Sequence, residues 1–128
     1  MVGLPGESYE CPIARTVSII GKKWTLLVLK ELYCAGRSLR FNELKRNLDG
    51  ITSAILSKRL QEMEEEGLIS RSVKTSKPPL RVEYSLTSKG RGLQDIMEHL
   101  KQWGVKHGAE GGRKLMSCDS CLTPKSRG

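Results

Sequence analysis

The stretch TSAILSKRLQ, residues 52–61, sets polar chemistry along one side of a helix. At about 100° per residue, Ile55, Leu56, Leu60 and the following Met63 cluster on one side, while Ala54, Ser57, Lys58 and Gln61 lie opposite. Thr52 or Ser53 can cap the helix, because a side-chain oxygen there accepts from the free N–H groups of the first turn. The outward set matches the base edges of a B-DNA major groove. Gln pairs bidentately with adenine, Lys donates to guanine, and Ala packs on a thymine methyl. A plain solvated helix face reads the same way, so the neighbouring segments must decide.

Acidic residues limit which part of that helix could approach a polyanion. Glu62, Glu64, Glu65 and Glu66 close it, and a phosphate backbone would repel them. Only the N-terminal half, the end of a helix that favours anions, is suited to DNA. Next comes LISRSV, then a tip containing Lys77-Pro78-Pro79, then RVEYSL. Both flanks alternate as strands do. The prolines stiffen the tip by fixing φ, and a stiff projection loses less entropy when held against a partner. Lys74 and Lys77 are placed to contact phosphates, and Arg81 is the candidate for insertion into a minor groove. Arg37, Arg40, Lys45 and Arg46 are further candidates for the backbone. A solvated cationic loop is the plainer reading of the hairpin.

The other reactive side chains are sparse. Cys11 precedes Pro12 at a helix start, where the helix N-terminus favours the reactive thiolate. Cys34 falls late in a helix and reads as core. Cys118 and Cys121 form a lone CxxC; a structural zinc takes four N or S ligands, and the only histidines are His99 and His107. The CxxC is therefore a weak metal candidate, and no cofactor is expected. No Gly-rich phosphate loop, HExxH or nucleophile elbow is present, so the chain does not read as an enzyme.

The elements that must position these residues follow from periodicity. The 128 residues fit one domain and carry a formal charge of +8, with 22 Lys+Arg against 14 Asp+Glu, which favours polyanionic partners. No apolar run is long enough to span a bilayer, and the first residues lack a secretory signal pattern; a cytoplasmic protein without membrane contact is expected. Pro12 opens a first helix bearing Ile13, Val17 and Ile20. KKWTLLVLKELYCAG is a second, with Trp24, Leu27, Val28 and Leu32 on one face. RSLR is a short strand, FNELKRNLDG a third helix, and the 52–61 stretch begins a fourth. After the hairpin, Thr87 or Ser88 opens one long helix with Leu93, Ile96, Met97, Leu100 and Trp103 as its stripe. The fold class is mainly α with a small β-hairpin, in the order of a winged helix-turn-helix.

Four stretches, Cys11-Pro12, IIGKKWTLLVLKEL, RFNELKRNLDGITSAILSKRLQEMEEEGLI and PPLRVEYSLTSKGRGL, together resemble the HxlR family of bacterial and archaeal transcriptional regulators. The resemblance covers roughly residues 11–104. It implies a winged-helix homodimer that binds operator DNA. One departure is visible: where many members read Gly-Gly-Lys-Trp, this chain has Gly21-Lys22-Lys23-Trp24. Some members use a cysteine at the position of Cys11 to sense oxidants or electrophiles; an inert buried cysteine is the alternative.

The organisation expected is an N-terminal arm (1–10), a DNA-binding and dimerisation domain (11–104) and a flexible tail (105–128). Ile13 and Val17 of the first helix, with Leu93, Ile96, Met97, Leu100 and Trp103 of the last, are the dimerisation candidates. The expected partners are double-stranded DNA and a second copy, with a small-molecule or oxidant effector as an option. Two rivals remain at this point: a winged-helix protein-interaction module, and a thiol- or metal-responsive sensor that controls DNA binding.

Overall fold

The computed structural model describes residues 11–108. The expected arm, most of the expected tail and the Cys118/Cys121 pair lie outside the described residues. The chain forms α1 (Pro12–Ile20), α2 (Thr25–Ala35), β1 (Leu39–Arg40), α3 (Phe41–Asn47), α4 (Ser53–Glu65), β2 (Ile69–Val73), β3 (Val82–Leu86), α5 (Ser88–Arg91) and α6 (Gln94–His107). The three strands form an antiparallel sheet in the order β1-β3-β2. The core is built from Val28, Leu29, Leu32 and Tyr33 of α2, Leu44 of α3, Leu56, Leu60 and Met63 of α4, and the sheet residues Leu39 and Ile69.

Pro12 sits in the first turn of α1, where its missing N–H costs nothing. The second helix starts later than its periodicity suggests. Lys22–Trp24 form a turn closed by Thr25 N–H donating to the Lys22 carbonyl at 3.2 Å, and Trp24 takes a left-handed φ of 87°. That conformation costs a non-glycine residue about 1–3 kcal/mol. Trp24 offsets it by packing against the core, with Lys23 Nζ 5.1 Å from its ring. The buried arc of α2 runs through Thr25, Val28, Leu29 and Leu32, and Leu27, expected on the inner face, is exposed. Cys34, expected in the core, is half-buried.

Between α3 and α4 the chain reverses through Asp49-Gly50. Gly50 has a φ of +90°, which an L side chain rarely adopts, and the flanking Leu48 and Ile51 are buried. Thr52 Oγ1 then accepts from Ile55 N–H at 3.1 Å and starts α4. These two helices are the helix-turn-helix. The hairpin continues past its strands, with Lys74 N–H donating to the Arg81 carbonyl at 2.6 Å. Thr75 Oγ1 donates within the tip to the carbonyls of Lys77 (3.2 Å) and Pro79 (3.4 Å), and the Pro78–Pro79 bond is cis.

The long last helix is two helices. Lys89-Gly90-Arg91-Gly92 is weak helix-forming sequence; the Gly92 N–H is shared between the Ser88 and Lys89 carbonyls, at 3.0 and 3.2 Å, and the Leu93 N–H bonds Gly90, three residues back. The buried Tyr33 hydroxyl donates to the Gly90 carbonyl. Burial, with Arg91 pulling the other way, pushes the Tyr33 phenol up to about 12. The apolar stripe lies wholly on α6 and its N-cap Leu93, and burial divides it. Leu93 packs against the core and Met97 is buried within it, so these two dimerisation candidates are claimed by the monomer. Ile96, Leu100 and Trp103, one edge further round α6, are exposed, as are Ile13 and Val17 of α1. The helix itself runs to His107, past the expected domain limit.

Candidate nucleic-acid interface

The face of α4 divides as its sequence requires. Leu56, Leu60 and Met63 are buried, whereas Thr52, Ser53, Ala54, Ser57, Lys58 and Gln61 are all exposed. Gln61 makes only a long contact to Glu65, 3.5 Å, which leaves its amide available for exchange. The acidic end of α4 is turned to internal use. Glu62 pairs with Lys22 at 3.2 Å and Arg59 at 3.0 Å, and Glu66 with Arg15 at 3.5 Å. Burial raises the Glu62 carboxyl, but Lys22 and Arg59 outweigh it and hold the group below its ordinary range. Arg59 is 15% exposed, its Nε donating to the Lys23 carbonyl at 3.1 Å. The extra cation at Lys22 thus fastens the α1–α2 turn to α4.

The basic residues form two groups around this helix. Lys74 and Lys77 stand exposed on the wing, beside the exposed apolar side chains of Val73 and Leu80. Lys45 of α3 is exposed as well. Arg40, Arg46 and Arg81 share a groove of about 580 Å³ between α3 and the wing base, with Arg37, Glu43 and Glu83 among its other walls. Arg81, the candidate for minor-groove insertion, is ion-paired through Nε to Glu83 at 3.1 Å. Arg37 is paired with Glu43 at 2.9 Å, and its Nη1 also donates to the Ser38 carbonyl at 2.9 Å. The Arg37 guanidinium and the Arg40 N–H hold the Glu43 carboxyl down to about 2. Glu43, Glu83 and Ser38 carry no motif that marks them in the sequence, yet they hold these arginines. The period-2 alternation of RVEYSL puts Arg81 and Glu83 on one face, but the pairing of Arg40 with Glu83 depends on a register invisible without the sheet.

Residues 19–111 match the family model described as HxlR-like helix-turn-helix. The chain belongs to that family. It is 42% identical over 102 residues to the HTH-type transcriptional regulator YdzF of Bacillus subtilis, itself uncharacterized, spanning 80% of this chain and 92% of that one. Among solved structures, the redox regulator HypR in its reduced form is 35% identical with a TM-score of 0.71, covering 77% of this chain and 94% of that chain. The reduced form of the transcriptional regulator YodB from B. subtilis is 29% identical with a TM-score of 0.67, covering 80% and 99%. The HxlR-type chain is accordingly a DNA-binding transcriptional regulator with a winged helix-turn-helix fold. Cys11 is exposed, at the N-cap of α1. Among the described residues no group of three or more His, Cys, Asp or Glu side chains could hold a metal ion, and no helix is long and apolar enough to cross a membrane.

Proposed function

We propose that this regulator reads operator DNA as a homodimer, with the N-terminal half of α4 in the major groove and the wing beside it. The observation that carries the reading is the division of α4: its base-compatible side chains, Ser53 to Gln61, are exposed on one face, while Glu62 and Glu66 are drawn away by cations of α1 and its turn. Gln61, Lys58, Ser57, Ser53 and Ala54 read base edges, Thr52 sets the helix start, and Arg40, Lys45, Arg46, Lys74, Lys77 and Arg81 hold the phosphate backbone. The exposed Ile13 and Val17 of α1 and Ile96, Leu100 and Trp103 of α6 pack against a second copy. That pairing sets two recognition helices on half-sites about one turn of DNA, or a multiple of it, apart. The activity is binding without catalysis, in the cytoplasm.

The test compares binding to the DNA upstream of the protein's own gene with binding to random DNA, at two salt concentrations. Specific binding that persists at the higher salt supports the reading. Equal, steeply salt-sensitive binding to both, across a library of genomic fragments, favours the protein-interaction module instead. A second reading is favoured by the exposure of Cys11 and by the likeness to HypR, a redox regulator: an oxidant or electrophile acts on Cys11 and changes operator affinity. Repeating the titration with reduced and oxidised thiols, and with Cys11→Ser, decides it. Oxidation that alters wild-type binding but leaves the serine variant unchanged is the expected result.

A further inference from the structure

Carboxylates in a groove meant for a polyanion lower its affinity unless they do something else. In the groove between α3 and the wing base, Glu83 is 16% exposed and both of its oxygens are engaged. Oε2 receives Arg81 Nε, and Oε1 receives the Ser38 hydroxyl. The β1–β3 register sets Arg40 opposite Glu83, and the strand period of two sets Arg81 on the same face. One carboxylate therefore stands between two arginines, and Arg46 lines the same groove.

The geometry of the two ion pairs separates two roles. Arg37 meets Glu43 through both terminal nitrogens, at 2.9 and 3.4 Å, and Ser38 through one of them. Three of its five N–H donors, both Nη1 hydrogens and one on Nη2, are thus engaged. Arg81 meets Glu83 through Nε, so its four Nη hydrogens remain to be offered. A guanidinium anchored at Nε presents its planar end to the next anion, and a phosphodiester with two free oxygens accepts it bidentately.

We propose that Glu83 is a positioning residue for DNA binding: with Ser38 it holds Arg81 so that the guanidinium end, together with Arg40 and Arg46, receives one backbone phosphate in this groove. Arg37 is a brace tied to Glu43 and not a phosphate ligand. The inference rests on the interface proposed above. Ser38 and the flanking cations keep Glu83 below the ordinary carboxyl range, so it is ionised at neutral pH and can serve as the anchor.

The sign of one substitution tests it. Electrostatics alone makes Glu83→Gln bind DNA more tightly, since a negative charge near phosphates is removed. Positioning makes it bind more weakly, by about two- to tenfold, because Arg81 must then be ordered on binding. The probe is a labelled duplex of random sequence at low salt, since a phosphate contact needs no operator. The full chain is used as wild type, Glu83→Gln, Arg81→Ala, the double variant and Arg37→Ala, each first shown to unfold cooperatively in urea. The expected result is weaker binding for Glu83→Gln, no further loss when it is added to Arg81→Ala, and a smaller loss for Arg37→Ala than for Arg81→Ala. Tighter or unchanged binding by Glu83→Gln, or an equal loss in the Arg81→Ala background, overturns the proposal. If Arg81→Ala changes nothing while Gln61→Ala still relaxes sequence choice, the cradle is wrong and the recognition helix stands. If neither has an effect, the interface itself is wrong.

Discussion

Replacing Gly90 with alanine sets two effects of opposite sign against each other. Within a helix, alanine gains about 1 kcal/mol over glycine in propensity. The added Cβ, however, would lie 2.1 Å from the Leu68 carbonyl oxygen, 3.1 Å from its carbon and 3.3 Å from Leu86 Cδ2. Neither side yields easily. The Leu68 carbonyl accepts from Thr87 N–H at 3.1 Å, and the Gly90 carbonyl accepts from the buried Tyr33 hydroxyl. Relief needs a backbone shift of roughly 1 Å to reach ordinary C···O contact. Overpacking of this kind costs about 1–3 kcal/mol, and a broken backbone hydrogen bond adds about 1. The clash therefore outweighs the propensity gain, and Gly90→Ala is expected to lose about 1–3 kcal/mol. Gly92→Ala is the control: its Cβ meets only Lys89 and Ser88 carbonyls of its own turn, at 3.2 and 3.7 Å. It should stay within about 0.5 kcal/mol of wild type. Urea unfolding at one fixed protein concentration reads both, since the stability of the proposed dimer would depend on concentration. A Gly90→Ala protein as stable as wild type would refute the reasoning.

At the proposed interface, Lys58→Ala or Gln61→Ala should relax sequence choice, each by about 1–3 kcal/mol for a bidentate base contact, in competition binding against operator variants. Equal weakening on every sequence would reassign those side chains to phosphate. Lys77→Ala should lower the slope of log affinity against log salt by about one unit, and an unchanged slope removes Lys77 from the contact. The Glu43 carboxyl takes its proton only near 2 when folded, against 4.5 ordinarily. The unfolded state thus binds more protons between those values, and the pair's contribution is present above about 4.5 and lost as pH falls toward 2. Glu43→Gln should flatten stability against pH in that window; an identical acid limb in the two proteins counts against the pairing.

What the sequence made legible, and what it hid, follows from how local each determinant is. Helix α4 is readable because every decisive feature lies within it: a cap at Thr52, an apolar stripe at helical spacing and an exposed polar face opposite. The hairpin was readable for the same reason, from alternation about a proline tip. The errors fall where a distant partner decides. Leu27 shares a face with Val28 and Leu32 by spacing, yet the core takes the arc through Thr25, Val28, Leu29 and Leu32 and leaves Leu27 exposed. The stripe of the last helix reads as one surface, yet the core of the monomer takes Leu93 and Met97 and leaves Ile96, Leu100 and Trp103 exposed. The same rule governs the interface. A count of basic residues treats Arg37 and Arg81 alike, but the partners Glu43 and Glu83 engage different nitrogens of the two guanidiniums. Charge composition points to the kind of partner; which cation is free to meet it is set by contacts 6 residues apart for Arg37–Glu43 and 45 apart for Ser38–Glu83, the second beyond the reach of any local pattern.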